Sequence, residues 1–117
     1  MTRSTLPLSV SRSVGDLVFV SGQIALRDGA IVNDDVAVQT NYVLDLIDSA
    51  LATEGCTLSD VVKTSVWLTD VRYFQRFNEA YAARFDAPFP ARSTVICGLA
   101  TAGAHVEIDA IAKRRER

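Results

Sequence analysis

The chain has 117 residues, enough for one domain and too few for two ordinary ones, and residues 1–117 are read as a single domain with a basic tail at 113–117. An apolar share of 49%, a charged share of 22%, three prolines and six glycines exclude the disordered, collagenous and low-complexity classes. The net charge is −2, but Lys113, Arg114, Arg115 and Arg117 crowd the last five positions, so residues 1–112 carry −5 and offer no basic face for a nucleic acid.

Taken along the chain, residues 9–14 alternate weakly and LVFV at 17–20 is a β-prone apolar run. Gly15-Asp16 between them predicts an antiparallel hairpin. Asp28-Gly29 marks another turn, followed by a short extra strand at 30–32. Val36, Val43, Leu44, Ile47, Ala50 and Leu51 fall on one helical stripe, with Asp34 and Asp35 placed to cap its start and Gly55 to stop it. VVKTSVWL at 61–68 is β-branched and reads as a strand. Asp70 then caps a second helix, on which Phe74, Phe77, Tyr81 and Phe85 form an aromatic core stripe ended by Pro88 and Pro90. The last two strands are 91–99 and 104–112, expected as an antiparallel pair.

The order β-β-(β)-α-β-α-β-β predicts an α+β fold, a single mixed sheet with two helices packed on one face. The strand–helix–strand unit should be a right-handed parallel crossover. Two helices cannot cover both faces, so the other face, carrying Trp67, is expected to pack on another subunit. No apolar run approaches the ~20 residues of a membrane span, and MTRSTLPLSVSRS lacks the apolar stretch of a signal peptide. Cys56 and Cys97 have no CxxC spacing and His105 is the lone histidine, so a Cys/His zinc site lacks ligands. A cytoplasmic protein with two free thiols and no metal is the simplest reading. The basic tail reads as a solvated terminus.

Two charges interrupt β-rich segments: Arg92, sharing a strand face with Thr94 and Ile96, and Glu107, opposite the Val106/Ile108/Ala110 face. A buried charge is costly unless paired. One reading is a structural bridge between neighbouring strands. The other is an anion clamp, since an Arg fork matches a carboxylate by two parallel hydrogen bonds, with a second carboxylate beside it. His105 reads as a surface residue and Cys97 as a small core residue. Ser21-Gly22 at a strand exit offers backbone N–H groups to a ligand or is an ordinary exit. No Ser/His/Asp set, P-loop or dinucleotide fingerprint is present.

LVFVSGQIAL (17–26), QTNYVLDLIDSAL (39–51), DVVKTSVWLTD (60–70), FNEAY (77–81), PARSTV (90–95) and VEIDAIA (106–112) follow one another in order. This series resembles the Rid family, the YjgF-type enamine/imine deaminases, from about residue 7 to residue 112. The resemblance implies a chorismate-mutase-like fold assembled as a homotrimer, with the sheets forming an inner barrel and clefts between subunits. It implies that Arg92 holds a substrate carboxylate and Glu107 positions the attacking water. Ser21, Gly22 and Asn78 would belong to the cleft. Leu8 stands where the family has a tyrosine and Thr94 where it commonly has a cysteine, and the link from Asn78 to Arg92 is somewhat short. The implied activity is cofactor-free hydrolysis of 2-imino acids and their enamine tautomers to 2-keto acids and ammonia. The alternatives are a trimeric module that binds a small carboxylate without turnover, and a pathway-specific deaminase or chorismate-converting enzyme on the same scaffold.

Overall fold

A computed structural model describes residues 6–115. Strands β1 (Ser11–Val14) and β2 (Leu17–Gln23) form the expected hairpin. Gly15 sits at its turn with φ +57, in the left-handed region where a side chain is disfavoured. The single extra strand expected at 30–32 is instead a two-stranded ribbon of β3 (Leu26–Arg27) and β4 (Ala30–Ile31), separate from the main sheet.

Helix α1 spans Val36–Ala52. Asp35 is its N-cap, accepting from the backbone N–H of Ala37 and Val38. Arg76 reaches across to the same carboxylate at 2.7 Å and holds it below the usual carboxylate range. The other end closes with two reversed hydrogen bonds, Gly55 N–H to Ala52 O and Cys56 N–H to Leu51 O, made possible by Gly55 at φ +76.

Strand β5 (Val61–Leu68) is followed by a 3-10 turn at Val71–Tyr73, capped by Asp70, and then helix α2 (Phe74–Ala82). The Arg72 guanidinium on Asp70 pulls that carboxyl down to about 2. α2 is shorter than the aromatic stripe predicts. Phe85 lies beyond its end, although buried, and Phe74 is exposed rather than in the core. Phe77 and Tyr81 do face inward, and the Tyr81 hydroxyl meets the Thr64 hydroxyl at 2.7 Å in the core.

The largest departure concerns the last two strands, β6 (Ala91–Ile96) and β7 (Val106–Lys113). They are not a hydrogen-bonded pair. The sheet order is β1-β2-β7-β5-β6, with β5 and β6 parallel and β7 antiparallel to both β2 and β5. β7 is therefore central and β6 is an edge. β6 stops at Ile96, short of residue 99. Cys97, beyond it, is exposed rather than a core residue, because an edge strand leaves one side uncovered. Cys56 is buried, and its desolvation raises the thiol pKa.

Val18, Val20, Val66, Leu68, Val106, Ile108, Ala110 and Ala112 face the helices and make the core with α1 residues Val43, Leu44, Ile47 and Leu51. The opposite sheet face carries Phe19, Trp67, Val95, Glu107, Asp109 and Ile111, and no element among the described residues covers it. Among the described residues, no helix is long and apolar enough to cross a membrane.

The tail is not simply solvated. Arg114 donates to Glu54 Oε1 at 2.7 Å, to Glu54 O at 3.0 Å and to Gly15 O at 3.1 Å, tying β7 to the end of α1 and to the β1–β2 turn. Arg115 Nε approaches the buried Asp60 carboxylate at 3.7 Å. Replacing Arg114 with alanine removes three side-chain hydrogen bonds, two of them to carbonyls left with fewer donors. Because the pair is partly solvated, the expected cost is about 1–2 kcal/mol, read as a lower urea midpoint with unchanged slope.

Candidate functional site

Arg92 begins the chemistry. Its neighbours across the sheet are Thr64 and then Ala110, which places it on the helix-covered face at the edge of the sheet. There its guanidinium carbon lies 5.0 Å from the Tyr81 ring centroid, 5.3 Å from Phe77 and 6.0 Å from Phe74. Aromatic faces attract a cation without neutralising it. Among the described residues no carboxylate and no hydrogen-bond acceptor engages this side chain, whereas Arg72, Arg76, Arg84 and Arg114 each hold one. Arg92 is thus a positioned, half-buried and uncompensated positive charge.

It opens into a pocket of about 280 Å³ lined by Asn78, Tyr81, Ala82, Phe89, Pro90 and Arg92. Asn78, Tyr81 and Ala82 stand at i, i+3 and i+4 on α2, which puts them on one helix face. Thr94, two residues along β6, shares the face of Arg92. The Asn78 Oδ1 and Thr94 Oγ1 atoms are both buried with no hydrogen-bond partner. Such orphans are rare in folded proteins, and two flank this one arginine. A guanidinium and an amide on an apolar-walled pocket suit a small anion bearing a second polar group. The Tyr81 hydroxyl, occupied by Thr64, has its pKa raised mainly by burial.

Glu107 lies elsewhere. Its cross-strand neighbour is Trp67, on the open face, and β5 separates its strand from that of Arg92. The bridge between neighbouring strands allowed by the sequence therefore does not form. The two strands are not neighbours, and the two side chains leave opposite faces of the sheet. The Glu107 carboxylate rests against Gly22: a Cβ built on that glycine would collide with Glu107 Oε2 and come within 3.1 Å of its carboxyl carbon. Gly22 is at the irregularity where β2 slips register against β7. Desolvation, aided by the nearby Asp109 charge, raises the Glu107 pKa. No hydrogen bond to its carboxylate is formed among the described residues, whereas Asp109 accepts from the Ser65 backbone N–H at 3.1 Å.

The predicted site residues thus fall into two groups within one chain: Arg92, Asn78 and Thr94 on the helix side, Glu107 and Gly22 on the open side. Ser21 belongs to neither by contact. Its hydroxyl donates to Ser9 O and its backbone N–H to Val10 O, holding the segment before β1. Leu8 is exposed in that segment and lines neither group's described surroundings. His105 is not a surface residue: its ring packs 4.8 Å from Tyr73 and its Nε2 lies 2.9 Å from Asp34 Oδ1.

Five further residues have roles that the sequence does not reveal. Phe74, Phe77 and Tyr81 act as the bed for Arg92, a role hidden behind the expectation of a plain core stripe. Phe89 supplies a pocket wall from a loop with no periodicity. Gln39, fully buried, donates to Asn33 O and Gly103 O and accepts from the His105 backbone N–H, suturing the loops at one end of the sheet. A glutamine on the apolar stripe of α1 was the available signal.

Two helices on one face of a mixed five-stranded sheet define an α+β protein of known architecture. The YjgF gene product of Escherichia coli superposes with a TM-score of 0.87 at 32% identity, covering 96% of this chain and 91% of that one. The family described as Endoribonuclease L-PSP matches residues 3–114. Reactive Intermediate Deaminase A, chloroplastic, of Arabidopsis thaliana is 39% identical over 108 residues, 91% of this chain and 58% of that protein. A RutC family protein of Pyrococcus horikoshii is 37% identical over 108 residues, 91% of this chain and 86% of its own length. The chain belongs to this Rid/YjgF family.

Proposed function

We propose that the protein hydrolyses 2-imino acids and their enamine tautomers to 2-keto acids and ammonia. The observation that carries this reading is Arg92, an uncompensated guanidinium bedded on aromatic rings at the mouth of a small pocket. It would take the substrate carboxylate by its two-pronged fork. Water adds to the imine carbon, the C=N electron pair goes to nitrogen with a proton, and the resulting carbinolamine expels ammonia to leave the keto acid. The reaction needs only water and proton transfers, so it runs without a cofactor or metal. Glu107, with its raised pKa, suits the exchange of a proton with that water. The likeness to a relative named as a reactive intermediate deaminase supports the same chemistry.

Because Arg92 and Glu107 leave opposite sheet faces, this reading requires a second copy to complete each cleft. The uncovered face with Leu17, Phe19 and Val95 partly exposed is where we place that contact, in a homotrimer. Sedimentation at micromolar concentration should return three times the 12.7 kDa chain mass, and a stable monomer would leave the clefts incomplete. The deciding assay generates imines in situ from a panel of amino acids and follows their loss; no acceleration over buffer ends the deaminase reading. The separation of Arg92 from Glu107 within one chain favours one second reading, a module that binds a carboxylate without turning it over. An RNA-cleaving role, the activity in the family's description, sits poorly with the −2 net charge.

A further inference from the structure

We propose that Thr64 is a positioning residue for the anion site: through the Tyr81 hydroxyl it fixes the ring under the Arg92 guanidinium and so keeps the fork oriented to grip a carboxylate. The inference rests on Arg92 as the carboxylate clamp. Thr64 and Arg92 are direct cross-strand partners on β5 and β6, and both belong to the helix-covered face. The Thr64 and Tyr81 hydroxyls meet at 2.7 Å, and the Tyr81 ring is the nearest of the three to the guanidinium, at 5.0 Å. Tyr81 thus spans from Thr64 to Arg92, which stand side by side in the sheet. Tyr81 and Arg92 line the pocket, whereas the buried Thr64 acts from beneath it.

An arginine stem has several rotatable bonds, and a fork that is loose beforehand must be ordered as the anion arrives. Arg72, Arg76, Arg84 and Arg114 are each held by a carboxylate. A carboxylate on Arg92 would hold it as well, but would cancel the charge that an anion needs. Ring faces avoid that conflict, because they attract a cation without neutralising it. They orient it only as well as they are themselves held. Phe77 is held by complete burial, and Phe74 is exposed. Tyr81 stands in the last turn of the nine-residue α2, where helix ends fray. Phe77 and Phe85 pack against its ring at centroid distances of 5.4 and 4.7 Å. Such packing is non-directional; the bond to Thr64 is the directional tie, joining the tip of the ring to the strand beside that of Arg92. Stability alone does not call for this pair. Valine and phenylalanine would fill both places with no polar atom left to satisfy.

The test uses pyruvate, a stable 2-keto acid, and needs no turnover, so it stands whatever the imine assay returns. The dissociation constant is read from amide chemical shifts at a temperature where every variant is folded. The paired substitution Thr64→Val with Tyr81→Phe removes both hydroxyls together and should leave the thermal midpoint near the native value. Pyruvate should bind this variant about three- to tenfold more weakly, the scale of ordering one flexible side chain. Thr64→Ser keeps a hydroxyl and should bind pyruvate within about twofold of the native protein. Where the paired variant fails to fold by circular dichroism, Tyr81→Phe alone, which keeps the ring and loses the tie, carries the same expectation. Native affinity in the variant that lacks the tie overturns the proposal, because the hydroxyls then serve stability alone. A Thr64→Ser affinity as low as that of the paired variant overturns it too. Arg92→Ala separates this proposal from the clamp. If it binds pyruvate as the native protein does, or if the native protein binds none at millimolar concentration, the clamp falls and the proposal with it. If Arg92→Ala abolishes binding and the paired variant does not weaken it, only the proposal falls.

Discussion

Arg92→Ala should lower kcat/KM for the proposed imine hydrolysis by about 100-fold or more while leaving the thermal midpoint nearly unchanged. Each hydrogen bond to a charged group contributes about 1.5–3 kcal/mol, and the fork makes two. Stability is spared because the guanidinium holds no carboxylate in the protein; what is lost is stem packing on Phe77 and Tyr81 and a modest attraction to their faces. This is the opposite of what a structural bridge predicts, where removing one partner strands a buried charge and destabilises strongly. Arg92→Lys should recover little activity, since an ammonium is a point charge without the planar fork. Steady-state kinetics beside a thermal melt separates the two outcomes. A variant that unfolds would return Arg92 to a structural role.

Glu107→Gln should reduce turnover by about 10²–10⁴-fold with a smaller effect on ligand affinity, the range for loss of a positioned acid–base group. Burial raises the pKa of Glu107, so the acid limb of the native pH–rate profile should lie above the ordinary glutamate range, and the variant should lack that limb. Stability follows the same direction. The folded protein binds this proton more tightly than the unfolded chain, so the contribution of Glu107 is fully present at a pH below its unfolded pKa. It falls away as pH rises through the higher folded value. Glu107→Gln should therefore gain stability relative to the native protein at pH 7, and the gain should vanish near pH 4. Parallel urea titrations at the two pH values measure it. Gly22→Ala tests the same carboxylate from its neighbour, because the added methyl must push the Glu107 head group aside.

Local patterns in the chain were legible because local physics made them. The stripe of Val43, Leu44, Ile47 and Leu51 gave α1, and Asp35 and Gly55 marked its limits. The alternation of β7 sets Val106, Ile108 and Ala110 on the face opposite Glu107, and the structure buries that face. What escaped was the order of strands, which is set by contacts between distant segments. Without knowing that β5 lies between β6 and β7, a bridge from Arg92 to Glu107 was a fair reading of two lone charges in apolar strands. Cys97 is likewise expected in the core, since a strand's composition does not reveal that it is an edge. His105 was misplaced because its cover, Tyr73 and Asp34, comes from two other parts of the chain. Of the candidate site, Arg92 and Asn78 line one pocket, and Thr94 shares the strand face of Arg92. Ser21 and Leu8 did not join it within one chain.

The central place of β7 bears on how the protein is made. The β2 residues Leu17–Gln23 pair with β7 residues 85–96 positions later, and β5 also waits for β7 on its other side. As the chain leaves the ribosome, β1–β2 and the β5–α2–β6 unit emerge as two pieces with unpaired edges and no shared sheet. Only the final strand joins them. Folding should therefore be a late, nearly all-or-none event, slowed by the entropy of closing so long a loop. Until then the nascent chain exposes strand edges open to wrong partners. Losing the residues of β7 would cost far more than their number suggests, because it divides the sheet in two and removes Glu107 with it.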